Sequence, residues 1–492
     1  MPETHPLYRR GIALTLLLAL VLALSFQGGR GLWGPDEGRY SNIALQMVDS
    51  GDWLTPRRHP AYEHWAKPPL TYWAIAASVQ TFGRSEAALR LPNALSYVAT
   101  AFLLVLLGLR LLPAAPWLPA LIFVTSPVPF GAGNWINTDY LLTAFETLAM
   151  LGYVHLLQAT DARAAGRARA LLWTGLGLAF MTKGPPGLLP LLPMLVYARL
   201  QPAPRPRVFS LTALLLFLAI ALPWYALVIY KHEGLLGYFL GYEVYGRVFT
   251  DIHDRNSGWT GPIEVYGPTL LIGLLPWSLL LMRRLPALLR VRGWPAWWRT
   301  RTREDQLLIL WFLLPFLVFC FARSRLYLYL LPLLVPLAIL IGRRLHPFNR
   351  HRLRQITWTA LISAAVLLAG KALGPDWAPH AKDARELAGT IDAHWTQRPR
   401  EIVFVEESAF YGLYFYLGAP VTRVSLAARD DPAYDAPLAR VVDSDATRVW
   451  VTTANRIERL QAALAPQGLR FEQRASLERY VFGSVVAAPA GS

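Results

Sequence analysis

The sequence predicts a polytopic α-helical membrane protein, about 11 to 13 transmembrane helices in all, ending in a small C-terminal α/β domain outside the bilayer. Three observations carry this. The 492 residues are 54% apolar and only 16% charged, well below the roughly one quarter charged of soluble domains. Apolar runs of about 16 to 25 residues recur along the chain, the length needed to cross about 30 Å of hydrocarbon. Finally, arginines collect in every second connection, as the positive-inside rule requires of cytoplasmic loops.

The runs lie at 11 to 27, 88 to 112, 115 to 133, 136 to 158, 167 to 182, 184 to 200, 208 to 230, 264 to 282, 306 to 322, 325 to 342 and 355 to 371. The first ends in Gln27-Gly28-Gly29-Arg30, without a small-residue cleavage pattern, so it is expected to stay as an anchor. Leu70 to Phe82 covers about half a span and is rich in aromatic residues, which suits an interfacial or partly inserted helix. Arg9 and Arg10 put the N-terminus inside; Arg163 to Arg169, Arg199 to Arg207, Arg283 to Arg303 and Arg343 to Arg354 mark later inner loops. The alternate loops and the tail therefore face outward.

Hydrophobicity falls abruptly at Gly374-Pro375-Asp376. The expected domains are thus a membrane domain over 1–371, with outer loops at 28–87 and 231–263, and an outer domain over 372–492. In the latter, Glu401 to Val405, Arg448 to Thr452 and Tyr480 to Ala487 read as strands and Asn455 to Leu464 as an amphipathic helix. The tail holds no catalytic pattern and is expected to cap or orient the membrane part. The net charge of +16 reports topology and contact with anionic membrane lipids, and argues against nucleic acid. Cys320 is the sole cysteine, which excludes an intramolecular disulfide and a cysteine-based metal site.

Polar groups gather on the outer side. Asp36, Glu37, Arg39, Tyr62 and Lys67 fall in the first outer loop. Pro35 and the two acids suit a helix start, and Lys67 before Pro68-Pro69 suits a snorkelling interfacial lysine. Yet the chain has five lysines against 43 arginines (48 basic residues less the five), and two of the five share a context, Lys67-Pro68-Pro69 and Lys183-Gly184-Pro185-Pro186. An ammonium beside a helix start suits a phosphate. Asn137-Thr138-Asp139 opens another helix, and Glu146 follows seven residues on, about 10 Å deeper by helical rise. An intramembrane carboxylate is a functional candidate or half of a local salt bridge. The outer loop from Lys231 to Gly261 adds Glu243, Arg247 and His253; a metal held by His253 with His232 or Glu243 is conceivable, without a strong motif. Arg325 and Tyr329 close the series.

In order and sidedness these residues resemble the lipid-linked-sugar glycosyltransferases of the C-type fold, in particular the lipid A aminoarabinose transferases and protein mannosyltransferase-like enzymes. The residues that carry the resemblance are Asp36-Glu37-Gly38-Arg39-Tyr40, Lys67-Pro68-Pro69-Leu70 with Tyr72-Trp73, Asp139, Thr182-Lys183-Gly184-Pro185, Glu243 with Arg247, Pro276-Trp277 and Ser324-Arg325-Leu326 with Tyr329 and Pro332. Two positions depart from it: Ala66 stands where the family has a glutamate before the lysine, and Arg325 and Tyr327 replace a lysine and a proline.

The resemblance implies an inverting transferase of a bacterial inner membrane, acting at its periplasmic face on a polyprenyl-phosphate sugar and a lipid or glycan acceptor. It implies Asp36 as catalytic carboxylate with Asp139 and Glu37 as further acids. Lys67, Lys183, Arg247, Arg325, Tyr329 and Tyr62 would bind the donor phosphate, and Arg39, Glu243, His253 and Glu146 the substrates. No cofactor is called for, and a divalent metal is left open. The two islands around Asp36 and Lys67 are expected to serve one outward site. Other acceptors, including protein, stay open. A transporter or flippase of the lipid-linked sugar is the alternative from another class; no internal repeat suggests one.

Overall fold

The computed structural model describes residues 6–202, 205–250, 256–279, 293–427, 434–445 and 447–489. Two compact units emerge. One comprises 1–25, 66–71 and 91–371; the other comprises 26–65, 72–90 and 372–492, so most of the first outer loop folds with the tail.

Among the described residues, six helices have the length and hydropathy to cross a membrane: Glu86–Leu111, Asp139–Leu157, Leu211–Lys231, Arg303–Phe321, Tyr327–Leu345 and Arg350–Trp377. Several are started by side chains that satisfy free backbone N–H groups. Ser210 accepts from the amide of Ala213 at 3.2 Å and Thr302 from that of Asp305 at 3.1 Å. Some expected runs are broken, among them 115–133 and 184–200. The run 115–133 forms two short helices, Leu118–Val124 and Pro127–Gly133. Freed backbone at membrane depth must find partners; the carbonyl of Thr125 accepts from Ser363 Oγ at 2.6 Å, and its own hydroxyl accepts from Trp277 Nε1 at 3.0 Å. The run 184–200 becomes a 3₁₀ turn, Pro185–Leu188, and a helix, Leu191–Leu200, because its prolines interrupt the hydrogen-bond ladder.

Helices Asp139–Leu157 and Ala162–Lys183 form a tight antiparallel hairpin. Asp161 starts the second, accepting from the amide of Ala164 at 2.8 Å. Backbones meet where side chains are missing: a Cβ on Gly152 would lie 2.4 Å from the amide nitrogen of Leu172, and one on Gly175 2.6 Å from that of Ala149. Small residues at such crossings let membrane helices gain packing contacts in the absence of a hydrophobic drive.

The second unit holds a two-stranded ribbon, β1 (Arg57–His59) and β2 (Tyr62–Glu63), and a six-stranded sheet. Its strands are β3 (Glu401–Val405), β4 (Val421–Ser425), β5 (Ala436–Pro437), β6 (Arg448–Thr453), β7 (Leu469–Leu477) and β8 (Tyr480–Ala487), in the order β5-β4-β3-β6-β8-β7. The first four in that order run parallel, and β8 and β7 are antiparallel. The strands at Glu401, Arg448 and Tyr480 and the helix Ile457–Leu464 lie where the sequence places them. The core includes Val403, Val405, Val424, Trp450, Leu460 and Val485. Helix Asp36–Ser50 belongs to this unit and approaches the tail closely, since a Cβ on Gly38 would lie 2.4 Å from the amide nitrogen of Gly412. The loop before it is tied to the tail as well: Asp383 accepts from the amide of Gly31 at 3.0 Å, and Arg385 pairs with Glu86 at 2.7 Å.

Candidate functional site

The hairpin of the first unit sets its polar ends together. Asp139 is the first residue of one helix and Lys183 the last of the next, so the antiparallel pairing brings them to one end, and they form a salt bridge with both side chains about nine-tenths buried. Each charge also suits its helix terminus, an anion at the N-terminal end and a cation at the C-terminal end. Asn137 takes over the capping role, its Oδ1 accepting from the amide of Tyr140 at 2.9 Å. That leaves the Asp139 carboxylate for the lysine. The Lys183 ammonium lies 4.4 Å from the centroid of the Tyr329 ring, a cation–π contact. Buried Glu146 lies within charge–charge range of both Lys183 and Asp139.

A second pair lies in the same unit. Lys67 Nζ is 3.9 Å from Glu243 Oε2, and Tyr238 donates its hydroxyl to Glu243 Oε1 at 3.1 Å. Tyr238–Tyr245 is a π-helical turn, a form often found at functional sites. Tyr225 links the two pairs: its hydroxyl would lie 3.5 Å from a Cβ on Gly184, beside Lys183, and it is within charge range of Glu243. Sequence reasoning passed over Tyr225 and Tyr238, since a tyrosine near the end of a span reads as an ordinary interfacial residue.

Arg325 is buried and donates to the carbonyls of Asn256 at 2.6 Å, Gly258 at 2.8 Å and Cys320 at 3.1 Å. Its guanidinium thus holds the end of the outer loop in place, a different setting from the phosphate contact expected of it. His253 and the Arg247 side chain lie outside the described residues. Among the described residues no three of His, Cys, Asp and Glu come together as a metal site.

In the second unit, Asp36 stands half exposed at the start of its helix, with Arg39 Nη2 at 2.5 Å from its carboxylate. Arg39 also lies 5.4 Å from the centroid of the Tyr40 ring, and its buried Nε has no hydrogen-bond partner among the described residues. An unmatched buried donor of this kind suits a ligand.

Glu37 is a different group altogether. It is fully buried, pairs with Arg30 and with Arg90 at 3.1 Å, and accepts from the amide of Trp33 at 3.0 Å. Burial alone would raise its carboxyl, but the charges of Arg90 and Arg30 outweigh this and hold it at about 2. A carboxylate so placed stays ionised near neutrality as the buried counter-charge of two guanidinium groups. Arg90 extends the tie, donating to the carbonyls of Gln27 and Gly31 at 2.6 Å each. Tyr62 packs on the tail core with Asp435, Glu401 and Arg440 in charge range.

The family model described as dolichyl-phosphate-mannose-protein mannosyltransferase matches residues 66–230. The undecaprenyl phosphate-alpha-4-amino-4-deoxy-L-arabinose arabinosyl transferase of Edwardsiella ictaluri is 34% identical over 70% of this chain and 61% of its own length. The transferase of the same name from Pseudomonas savastanoi is 31% identical over 74% of this chain and 67% of its own. The chain thus spans about three-fifths to two-thirds of the length of these curated relatives. Among solved structures, ArnT from Cupriavidus metallidurans bound to undecaprenyl phosphate superposes with a TM-score of 0.75 at 22% identity, over 98% of this chain and 99% of that one. This last likeness establishes a shared fold.

Proposed function

The chain belongs to the C-type fold glycosyltransferases, in the family of the aminoarabinosyl transferases, and on that premise we propose that it transfers 4-amino-4-deoxy-L-arabinose from undecaprenyl phosphate to lipid A at the periplasmic face of the inner membrane. The observation that carries this reading is the buried Lys183–Asp139 pair beside Tyr329, at the ends of two closely packed helices.

In a single displacement the bond from the anomeric carbon to the phosphate oxygen breaks as the acceptor oxygen attacks from the opposite face, and the anomeric configuration inverts. Negative charge grows on the departing lipid phosphate. Fixed cations aimed at that charge lower the barrier most where water is excluded. Lys183 and Lys67 are assigned this task. Asp139 and Glu243 hold the two ammonium groups in place at 8% and 17% side-chain exposure. Asp36, oriented by Arg39, is assigned to the acceptor. For a hydroxyl it serves as general base, whereas an ionised lipid A phosphate needs only to be positioned. The match of residues 66–230 to the protein mannosyltransferase model favours, as a second reading, a protein or glycan hydroxyl as acceptor.

The test is transfer by the purified chain from undecaprenyl-phosphate aminoarabinose to lipid A. Lys183→Ala is expected to lower turnover about a hundredfold or more, the usual effect of removing one charge-stabilising donor. Lys183→Ala with the parent's turnover contradicts the assignment, and transfer to a peptide or glycan but not to lipid A selects the second reading.

A further inference from the structure

Asp36, assigned above to the acceptor, stands half exposed, and its salt bridge is to a single arginine. That bond runs from Arg39 Nη2 at 2.5 Å, while the buried Arg39 Nε has no hydrogen-bond partner among the described residues. One such bond leaves the plane of a guanidinium unfixed, and a carboxylate is oriented only as well as the groups that support it.

The other groups around Arg39 come from three segments of the outer unit. Tyr40 follows it on its own helix, Tyr72 lies 5.8 Å from Tyr40 between ring centroids, and Tyr411 of the tail is within charge range of the guanidinium, as Tyr40 and Tyr72 are. Backbone contact brings Tyr411 there. A Cβ on Gly38, the residue before Arg39, would lie 2.4 Å from the amide nitrogen of Gly412 and 3.4 Å from the carbonyl carbon of Tyr411.

Tyr411 is itself firmly held. It is 6% exposed, and its hydroxyl donates to Asp435 Oδ2 at 3.0 Å. That carboxylate is fully buried, accepts from the amide of Arg423 on β4 at 2.7 Å and pairs with Arg58 Nε on β1 at 2.6 Å. The carbonyl of Arg58 in turn accepts from Asn42 Nδ2 at 2.5 Å, about one turn along the helix from Arg39. The charges therefore balance in two pairs, Asp435 with Arg58 and Asp36 with Arg39, and the nearby carboxylate of Glu401 is paired with Arg448 at 2.8 Å. Burial raises the Tyr411 phenol, the charge of Asp435 adds to the rise, and those of Arg58 and Arg39 oppose it, so the phenol stays protonated at neutral pH. With its proton given to a carboxylate, the phenol oxygen offers neighbouring guanidinium groups lone pairs alone, and the same donation makes that oxygen more electron-rich.

We propose that Tyr411 is a positioning residue for the transfer: through its phenol oxygen the tail fixes the guanidinium of Arg39 and, through Arg39, the carboxylate of Asp36. The inference rests on the reading of Asp36 as the acceptor-side carboxylate. It gives the tail a part in the reaction without a catalytic side chain of its own.

The test measures transfer from undecaprenyl-phosphate aminoarabinose to lipid A by the purified full chain, with initial rates over both substrates. Tyr411→Phe is expected to lower kcat about tenfold or more, as loss of a hydrogen bond to a charged group does, and to leave the KM for the donor unchanged. Tyr414→Phe removes a neighbouring tail phenol, bonded to Asp49 at 2.7 Å, and should keep the parent's kcat. The signature of positioning is coupling: in an Arg39→Lys background Tyr411→Phe should cost little more, because the group it acts through is already altered. Asp435→Asn keeps an oxygen for the phenol but removes the charge. It should lower kcat by a smaller factor with the same coupling, which keeps the proposal testable where Tyr411→Phe folds poorly. Tyr411→Phe at the parent's kcat beside an inactive Asp36→Asn overturns the proposal alone, as do losses in Tyr411→Phe and Arg39→Lys that simply multiply. Asp36→Asn at the parent's kcat overturns the premise and the proposal together.

Discussion

Adjacent carboxylates can have opposite fates, and Asp36 and Glu37 show why. Asp36 is half exposed and meets one arginine, whereas Glu37 is buried between two. Replacing Asp36 by Asn is expected to abolish turnover and leave thermal stability within about 0.5 kcal/mol, as for surface changes. Glu37→Gln should instead destabilise the outer unit by about 3 to 5 kcal/mol, since two buried guanidinium groups lose their counter-charge; limited proteolysis of the tail reads this out. The pH dependence follows from the depressed carboxyl. Glu37 contributes fully above its unperturbed value of 4.5, and that contribution is lost as pH falls through about 2. The shift corresponds to about 3 kcal/mol. Acid unfolding of Glu37→Gln should therefore be flatter between these limits than that of the parent. The acid pair was legible in the sequence as a helix start. Which of the two is buried was not, because the deciding partner, Arg90, lies 53 residues away.

Helix packing determines whether Lys183 and Asp139 meet. Gly152 and Gly175 let the two hairpin helices touch backbone to backbone, and that contact brings Lys183 to Asp139. Gly175→Leu is expected to force the helices apart, cost about 1 to 3 kcal/mol by overpacking and lower turnover with it. A cysteine pair at the hairpin's outer end, followed by crosslinking, measures the separation. The six long apolar helices were legible from apolar length. The broken run at 115–133 was not, because a Thr-Ser-Pro break is tolerated only when residues such as Trp277 and Ser363 supply its hydrogen bonds. The surroundings of Tyr62 and Arg325 were hidden for the same reason. Each is set by partners at a distance, Asp435 and Glu401 for the first and the carbonyls of Asn256 and Gly258 for the second.

At the scale of the whole molecule, the tail is part of the same folding unit as most of residues 28–87. Residues 26–65 and 72–90 fold with 372–492, through Asp383, Arg385, Tyr416 and the close approach at Gly412. A tail that only recruited a partner would be dispensable for transfer. Deleting 372–492 is expected to abolish turnover while the membrane unit still inserts, and Gly38→Val should produce a milder form of the same defect. Retained transfer after deletion would separate the tail from the reaction.

The most direct measurement is mass spectrometry of lipid A incubated with the purified chain and undecaprenyl-phosphate aminoarabinose. The account predicts lipid A carrying the added aminopentose with the parent chain, and unmodified lipid A with Asp36→Asn at equal protein recovery. Unmodified lipid A with the parent chain, or equal modification by the parent and Asp36→Asn, would contradict it.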